Sequence, residues 1–188
     1  MELTEAVLTR RSQQQLTDPA PDDEQFTRLL RTASAAPDHG RLRPWRWVLL
    51  RGGQRARLGR ALAAAGTDAA QARAALKPLR APLLASIVFV PRQNTKVPRW
   101  EQLAATAALV HCLELLLHDH GWGSIWRTGQ GLESPAVHDA LALRPGEQLL
   151  GWLYIGTPHP HRSTAPKPVR DVHDTITRLG TSIESSVA

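Results

Sequence analysis

The stretch Gly121-Trp122-Gly123-Ser124-Ile125-Trp126-Arg127-Thr128-Gly129-Gln130-Gly131 carries the strongest fold signal in this chain. Its four glycines and two tryptophans follow a long apolar segment. Glycines at this spacing let the backbone approach a ligand closely. They do not form a dinucleotide-binding fingerprint, because that motif places its glycines between a strand and the following helix. The stretch also lacks the lysine and hydroxyl residue of a P-loop, so neither a Rossmann fold nor a P-loop fold is predicted.

The residues on either side of this stretch predict alternating helices and short strands. A helix is predicted over residues 100–120, and its apolar residues lie on nearly all sides, which indicates burial in a domain core or a subunit interface. Asp22 and Gln25 have the spacing of a capping box, which predicts a helix over residues 23–35 that ends before Pro37. Further helices are predicted at 2–9, 54–75 and 135–142, and buried strands at 47–50, 83–90, 124–127 and 149–155.

Length and composition predict one domain over residues 1–188, with 42% apolar residues available for a core. The net charge of +6 is scattered along the chain without a dense basic run, which disfavours a nucleic-acid-binding module. The single cysteine, Cys112, excludes an internal disulfide and is expected to be a buried, unreactive thiol. No secretion signal or membrane span is recognised, so we expect a cytoplasmic protein without membrane partners.

Two polar segments have the residue types of a ligand-binding site. Arg10-Arg11-Ser12 offers two guanidinium groups and a hydroxyl, which suit a phosphate, although basic residues also commonly end helices. Ala36-Pro37-Asp38-His39-Gly40, followed by Arg43-Pro44-Trp45, is an ordered loop. This loop either contacts a planar heterocycle or only joins a helix to a strand.

A third segment, Lys96-Val97-Pro98-Arg99-Trp100-Glu101-Gln102, joins a charged loop to the start of a helix. Lys96 and Arg99 would attract an anionic nicotinamide nucleotide, and Trp100 would line its pocket. A solvated loop anchored by one tryptophan is an equally ordinary interpretation of the same residues.

Other chemistry receives little support from the sequence. The pairs His118 and His120, and His159 and His161, lack an acidic or cysteine partner at a matching spacing, so no metal site is predicted. Glu114 is expected to have a partner at an interface rather than a catalytic role, and no catalytic side chain is assigned.

Taken together, these segments resemble the nitroreductase family, including its smallest members. The Lys96 to Gln102 block and Ile125-Trp126-Arg127 are the most specific matches, and Gly156-Thr157-Pro158 extends the resemblance over most of the chain. The resemblance implies an α+β fold with a mixed, mostly antiparallel sheet flanked by helices. It also implies an intertwined homodimer with FMN between the subunits, in which the tail from about residue 163 extends onto the partner.

The family's chemistry would transfer a hydride from NADPH or NADH through FMN to a nitroaromatic, quinone or similar acceptor. The alternative is a flavin-binding or flavin-delivery protein without efficient turnover. The family often has asparagine or glutamine where this chain has Arg43, and a larger side chain where it has Ala35. The resemblance implies cofactor contacts at Arg10, Arg11 and Ser12 for the phosphate and ribityl end, at Ala35, Pro37 and His39 from a facing subunit, at Gly121, Trp122, Gly123, Ser124, Ile125 and Trp126 beside the flavin and nicotinamide, and at Gly131 and Leu132 further along the cofactor.

Overall fold

The structure is a computed structural model that describes residues 1–64, 73–94, 96–129, 131–160 and 165–179. Its main elements, in chain order, are α1 (Leu3–Thr9), β1 (Leu16–Thr17), α2 (Asp23–Ala33), β2 (Trp45–Leu50), α3 (Gly53–Ala64), β3 (Leu83–Phe89), α4 (Arg99–Asp119), β4 (Gly123–Arg127), α5 (Pro135–Ala140) and β5 (Gln148–Pro158). Short 3₁₀ turns occur at His39–Arg41, Lys77–Arg80 and His173–Thr175. The predicted α+β class is confirmed.

The long strand β5 organises the sheet. It pairs with β3, which pairs in turn with β2, and it also pairs with β4 and, near its end, with β1. These pairings are antiparallel, while Ser12 makes an isolated parallel bridge to Ser124 in β4. The observed sheet therefore agrees with the predicted mixed, mostly antiparallel arrangement.

The sheet separates two apolar layers, because successive strand residues point to opposite faces. On β3, Leu84 and Val88 belong to one cluster, whereas Leu83, Ala85 and Ile87 belong to the other. The helices α3 and α5 complete the first cluster, and α2 and α4 complete the second. Each face of the sheet is thus covered by helices, which leaves the ends of the strands available for a site.

Local sequence signals explain where α2 begins and ends. The Asp22 carboxylate accepts a hydrogen bond from the Gln25 backbone N–H at 2.7 Å, and the Gln25 side chain accepts one from the Asp22 N–H at 3.0 Å. This capping box is the predicted one. The helix ends at Ala33 rather than at residue 35, because Pro37 disfavours helical backbone just before it.

The other predicted helices and strands are present with shifted ends. The helix predicted over 54–75 corresponds to α3, which begins at Gly53, and to helical residues 73–76, while its middle part, 65–72, lies outside the described residues. The strands β2 and β5 are longer than predicted. In the tail after β5, a 3₁₀ turn is observed at His173–Thr175.

The helix α4 is apolar on nearly all sides, yet one chain covers only one of them. Leu109, Val110 and Leu113 are buried against the sheet. Near the start of the helix Trp100 is 68% exposed and Leu103 is 38% exposed. Cys112, which was expected to be buried, is half-buried.

Within the described part of the chain, no helix has both the length and the apolar character needed to cross a membrane.

Candidate functional site

Three cationic side chains gather where α1 ends, next to the start of β4. Arg10 Nη1 lies 3.7 Å from Glu114 Oε1, which belongs to α4. Lys167 reaches the same place because its backbone N–H donates to the Leu8 carbonyl at 2.9 Å. Partial burial and then the charges of Arg10 and Arg11 lower the pKa of Lys167. Two guanidiniums close to an ammonium group outnumber the one neighbouring carboxylate, Glu114, and this balance of charge favours a bound anion.

Arg10 also carries an unused hydrogen-bond donor. Its Nη1 atom is buried and has no hydrogen-bond partner among the described residues. Burial raises the pKa of Glu114, whereas Arg10, His111 and a hydrogen bond from Ser124 lower it. The Glu114 carboxylate thus lies near the Arg10 guanidinium as a counter-charge, but it forms no short hydrogen bond with Nη1. Because a buried unpaired donor is unfavourable, this place fits a ligand with anionic oxygen atoms, such as a phosphate.

Arg11 makes different contacts. Its Nη1 donates to the Leu8 carbonyl and its Nη2 donates to the Ala165 carbonyl, each at 2.7 Å. These hydrogen bonds hold the segment that contains Lys167 against the end of α1. Arg11 therefore positions Lys167 in this chain, and its direct contact with a phosphate stays a prediction.

Ser12 lies beside β4, as a site built from both segments requires. It forms the bridge to Ser124, and the next N–H, that of Gln13, donates to the Ser124 carbonyl at 2.9 Å. A Cβ atom on Gly123 would lie 2.6 Å from Leu16 Cδ2 and 3.1 Å from Pro158 Cβ, so glycine allows β4 to pack closely against these residues. The fold thus brings Arg10, Ser12 and the start of the glycine-rich stretch together, although more than a hundred residues separate them in sequence.

The remaining residues of the glycine-rich stretch lie on both faces of the sheet. Trp126 packs into the second apolar cluster, and its indole N–H donates to the Leu150 carbonyl at 3.0 Å. Ile125 packs against the first cluster. Trp122 lines a cavity of about 280 Å³ between α2 and the end of α4. Trp126 is therefore an anchor between β4 and β5, and its predicted flavin contact is not needed to explain its position.

Gly131 and Leu132 lie beyond β4, near α3. A Cβ atom on Gly131 would approach Leu62 Cδ2 to 2.6 Å, and its φ of 100° also favours glycine. Leu132 is half-buried against the first apolar cluster. These two residues therefore pack beside α3 and the first apolar cluster, and their cofactor contact stays a prediction.

The predicted loop around residues 35–39 lies at the other end of α4. His39 Nδ1 is 2.8 Å from Oε2 of Glu101, which lies in the first turn of that helix. Glu114, beside Arg10, lies thirteen residues further along the same helix, which corresponds to about 20 Å. One chain consequently does not bring this loop and the cation cluster into a single site.

The loop itself lines a polar cavity of about 400 Å³. Two of the predicted residues, Ala35 and Pro37, line this cavity, whereas His39 is paired with Glu101. The lining also includes Arg41 and is completed by Ser34, Ala36, Asp38 and Arg43. Neither Arg41 nor Lys167 belongs to a local sequence pattern that identifies a site, so only the structure brings them into these two regions.

The block from Lys96 to Gln102 stabilises the loop before α4. The Gln102 amide group donates to the Arg92 and Val97 carbonyls at 2.9 and 3.0 Å. The Arg99 guanidinium lies 4.9 Å from the Phe89 ring centre and donates to the Gln148 side chain at 2.8 Å. These contacts anchor the loop through Gln102 and Arg99 rather than through Trp100, which is 68% exposed. Across the described residues, no group of three or more His, Cys, Asp or Glu side chains is arranged to hold a metal ion.

Comparisons with known sequences identify one family. The model described as "Nitroreductase family" matches residues 7–157. A protein of Escherichia coli (strain K12) named "Putative NAD(P)H nitroreductase YdjA" is 37% identical over 170 residues, which is 88% of this chain and 93% of that protein. "Putative NAD(P)H nitroreductase YfhC" of Bacillus subtilis (strain 168) is 28% identical over 152 residues, or 76% and 78% of the two chains.

Solved structures share the fold over nearly the whole chain. A nitroreductase-like family protein from Bacillus cereus has a TM-score of 0.83 and 24% identity, and the match covers 96% of this chain and 97% of that one. The FMN and NADPH-dependent nitroreductase NfnB from Sphigopyxis sp. strain HMH has a TM-score of 0.75 and 20% identity, with 96% and 100% covered. The family model spans the fold from the end of α1 into β5, and this chain belongs to the nitroreductase family.

Proposed function

We propose that this chain is an FMN-dependent oxidoreductase that uses NADPH or NADH to reduce a nitroaromatic, a quinone or a similar acceptor. Membership of the family supports this reaction class. The observation that carries the assignment to the site is the buried, unpartnered Nη1 of Arg10 beside Lys167 and Ser12. A phosphate ester bound there would accept hydrogen bonds from Arg10 and balance the surplus positive charge.

The residues of this chain would bind and orient the cofactor. Arg10 and Lys167 would hold its phosphate, Ser12 would add a hydroxyl, and the backbone around Gly123 would lie beside the ring system. FMN, when bound, supplies the hydride chemistry between NAD(P)H and the acceptor. Hydride transfer itself needs no general acid or base, so we assign no catalytic side chain.

We further propose that the active protein is a homodimer whose sites combine residues of both chains. Two α4 helices that cross antiparallel about a two-fold axis would place the loop of one chain near the cation cluster of its partner. The exposed apolar side chains near the start of α4, Trp100 and Leu103, support this arrangement because a partner chain would cover them.

The tail from about residue 163 would extend onto the partner. Val169 is 81% exposed and Leu179 is 97% exposed, so the apolar side chains of the tail also have little cover within one chain. A cytoplasmic location, where NAD(P)H is available, is part of this proposal.

The decisive experiment is an anaerobic absorbance spectrum of the purified protein before and after the addition of NADPH, and separately of NADH. We expect a yellow protein with an oxidised flavin spectrum that is bleached by at least one donor and returns when a quinone is added. A colourless protein that retains no FMN after reconstitution would overturn the proposal. Bound FMN that neither donor bleaches would instead indicate a flavin-binding or flavin-delivery protein.

A further inference from the structure

We infer that Arg41 and Arg43 form a subsite for an anionic group, a carboxylate or a phosphate, on the molecule that exchanges electrons with the flavin. The inference rests on the proposed function, because that function places this loop beside the cofactor of the partner chain. It extends the proposed function by naming the chemical class that the site selects.

The first support is the charge of the cavity. Arg41 and Arg43 line the 400 Å³ cavity, both are exposed, and neither guanidinium has a hydrogen-bond or ion-pair partner among the described residues. The acidic residue of the lining, Asp38, uses its Oδ2 atom to accept a hydrogen bond from the Arg43 backbone N–H at 2.8 Å. The cavity therefore has two unused guanidiniums and one carboxylate that is already engaged, which gives it a net positive charge.

The second support is the backbone of the loop. Arg41 has a φ of 51° and Arg43 has a φ of 47°, a region that side-chain-bearing residues rarely adopt. Asp38 holds both turns, because its carbonyl accepts from the Arg41 N–H at 2.9 Å and its carboxylate accepts from the Arg43 N–H. Glycine or asparagine would fit this backbone with less strain. Arginine at both positions is therefore explained by its side chain rather than by the local fold, and such strained positions cluster at binding sites.

The third support is the match between the cavity and a small anion-bearing molecule. Two guanidiniums two residues apart in one fixed loop offer forked donors, which suit the paired oxygen atoms of a carboxylate or phosphate. The cavity volume is within the usual range for a site that holds part of a small molecule. A neutral molecule of the same shape would leave both guanidiniums without an acceptor, so the subsite discriminates by charge.

The test compares Arg41→Gln, Arg43→Gln and the double variant with Arg31→Gln. Arg31 is an exposed arginine in the last turn of α2 that does not line the cavity, so it controls for the general loss of positive charge.

Each protein is assayed with two matched pairs, NADPH against NADH and 4-nitrobenzoate against 4-nitrobenzamide. In the double variant we expect kcat/KM for the anionic member of at least one pair to fall about tenfold or more. We expect the neutral or less charged member, and the control variant, to stay within about twofold.

A binding measurement makes the result independent of turnover. Isothermal titration of the oxidised protein with NADP⁺, NAD⁺, 4-nitrobenzoate and 4-nitrobenzamide should show the same selective loss of affinity in the double variant. A loss confined to NADP⁺ identifies the 2′-phosphate as the anion, and a loss confined to 4-nitrobenzoate identifies an acidic acceptor. Equal losses for both members of a pair, or no loss in either pair, would overturn the subsite.

A separate measurement distinguishes failure of the proposed function from failure of the anion subsite. The flavin content and NAD(P)H-dependent bleaching of the wild-type protein are measured on the same samples. A protein without flavin overturns the redox assignment, whereas the calorimetric comparison still decides whether these two arginines bind an anion.

Discussion

Charged side chains in this protein differ in whether residues of the same chain complete their hydrogen bonds. The Arg46 guanidinium donates to both carboxylate oxygens of Glu147, at 2.8 and 2.6 Å, and forms a complete pair. Arg10, in contrast, has a buried Nη1 without a hydrogen bond and a Glu114 carboxylate 3.7 Å away. A complete pair contributes to folding, whereas an incomplete one indicates a place that a ligand completes.

Lys167 provides the first test at the residue scale. Lys167→Gln should weaken FMN binding about tenfold or more, because it removes one positive charge from the proposed phosphate site. The backbone N–H of residue 167 would still bond to Leu8, so the free energy of unfolding should change little. FMN affinity is measured by fluorescence titration of the apoprotein. Lys77→Gln, at the start of a distant 3₁₀ turn, is the control, and equal FMN affinity in both variants would contradict the assignment.

Glu147 provides a test of pH dependence. The hydrogen bond from Arg46 is the largest cause that lowers the pKa of Glu147 below its usual value of 4.5, and partial burial opposes it. A carboxylate with a lowered pKa in the folded state stabilises the fold above the unfolded-state pKa, and this stability is lost as the pH falls through the folded-state pKa. Glu147→Gln should therefore lower the free energy of unfolding by about 1–3 kcal/mol at pH 7.

Urea unfolding at pH 7 and at a series of acidic pH values checks this prediction. The difference between Glu147→Gln and the wild type should begin to shrink below about pH 4.5, where the unfolded-state carboxylate becomes protonated, and should be lost as the pH falls through the lowered folded-state pKa. Glu24→Gln breaks an exposed pair with Arg28 and serves as the control, with an expected effect below about 0.5 kcal/mol. A difference that is constant across the acidic range would show that charge is not the cause.

At the scale of elements, the glycine-rich stretch packs closely against β5 because Gly151 leaves space for it. Gly151 of β5 has a φ of 125°, and a Cβ atom there would lie 2.8 Å from Trp126 Nε1 and would clash with the Arg127 carbonyl oxygen. The register between β3 and β5 shifts at the same level, between Ile87 and Val88. This irregularity allows the Trp126 indole N–H to donate to the Leu150 carbonyl. That hydrogen bond holds β4 against β5.

Gly151→Ala tests that geometry against a matched glycine. Gly146 also has a positive φ, 84°, but a Cβ atom there would meet nothing within 4 Å. We expect Gly146→Ala to lower the free energy of unfolding by about 1 kcal/mol through backbone strain alone. Gly151→Ala should cost roughly 2–4 kcal/mol more, because it adds the clash with β4. Chemical denaturation measures both values, and equal effects would rule out the proposed packing role.

At the scale of the whole molecule, α4 connects the two candidate regions and also separates them. Its first turn contacts the loop through Glu101, and Glu114 contacts Arg10 about 20 Å away. The apolar side chains that one chain leaves uncovered on this helix, Trp100 and Leu103, lie near its start. A second copy would cover this face and bring the two kinds of region together.

Leu103→Glu tests the dimer. A carboxylate on the exposed face of α4 would be buried by the partner without a counter-ion, so we expect dissociation at micromolar protein concentration and a parallel loss of FMN. Leu76→Glu, at another exposed leucine, should leave both properties unchanged. Sedimentation equilibrium and flavin content are the measurements. A wild-type protein that is monomeric and retains FMN would refute the two-chain site.

Much of the architecture follows from short-range pattern. The capping box of Asp22 and Gln25, the apolar runs of β2 and β3 and the apolar character of α4 are properties of neighbouring residues, and each appears in the structure close to its predicted place. The pattern on α4 was informative in a further way, since residues that are apolar on all sides indicated more burial than one chain supplies. Helix and strand periodicity are determined locally, which is why these features could be read in advance.

The sequence by itself thus determined the class of fold, the elements and the segments that resemble a flavin site. Only the tertiary structure decided that Arg11 holds the tail, that Lys167 joins Arg10, and that Trp126 is an anchor. It also placed the 35–43 loop at the far end of α4 from Arg10. The physical reason is that these contacts join residues distant in the chain, and such pairings depend on packing and register rather than on any local period.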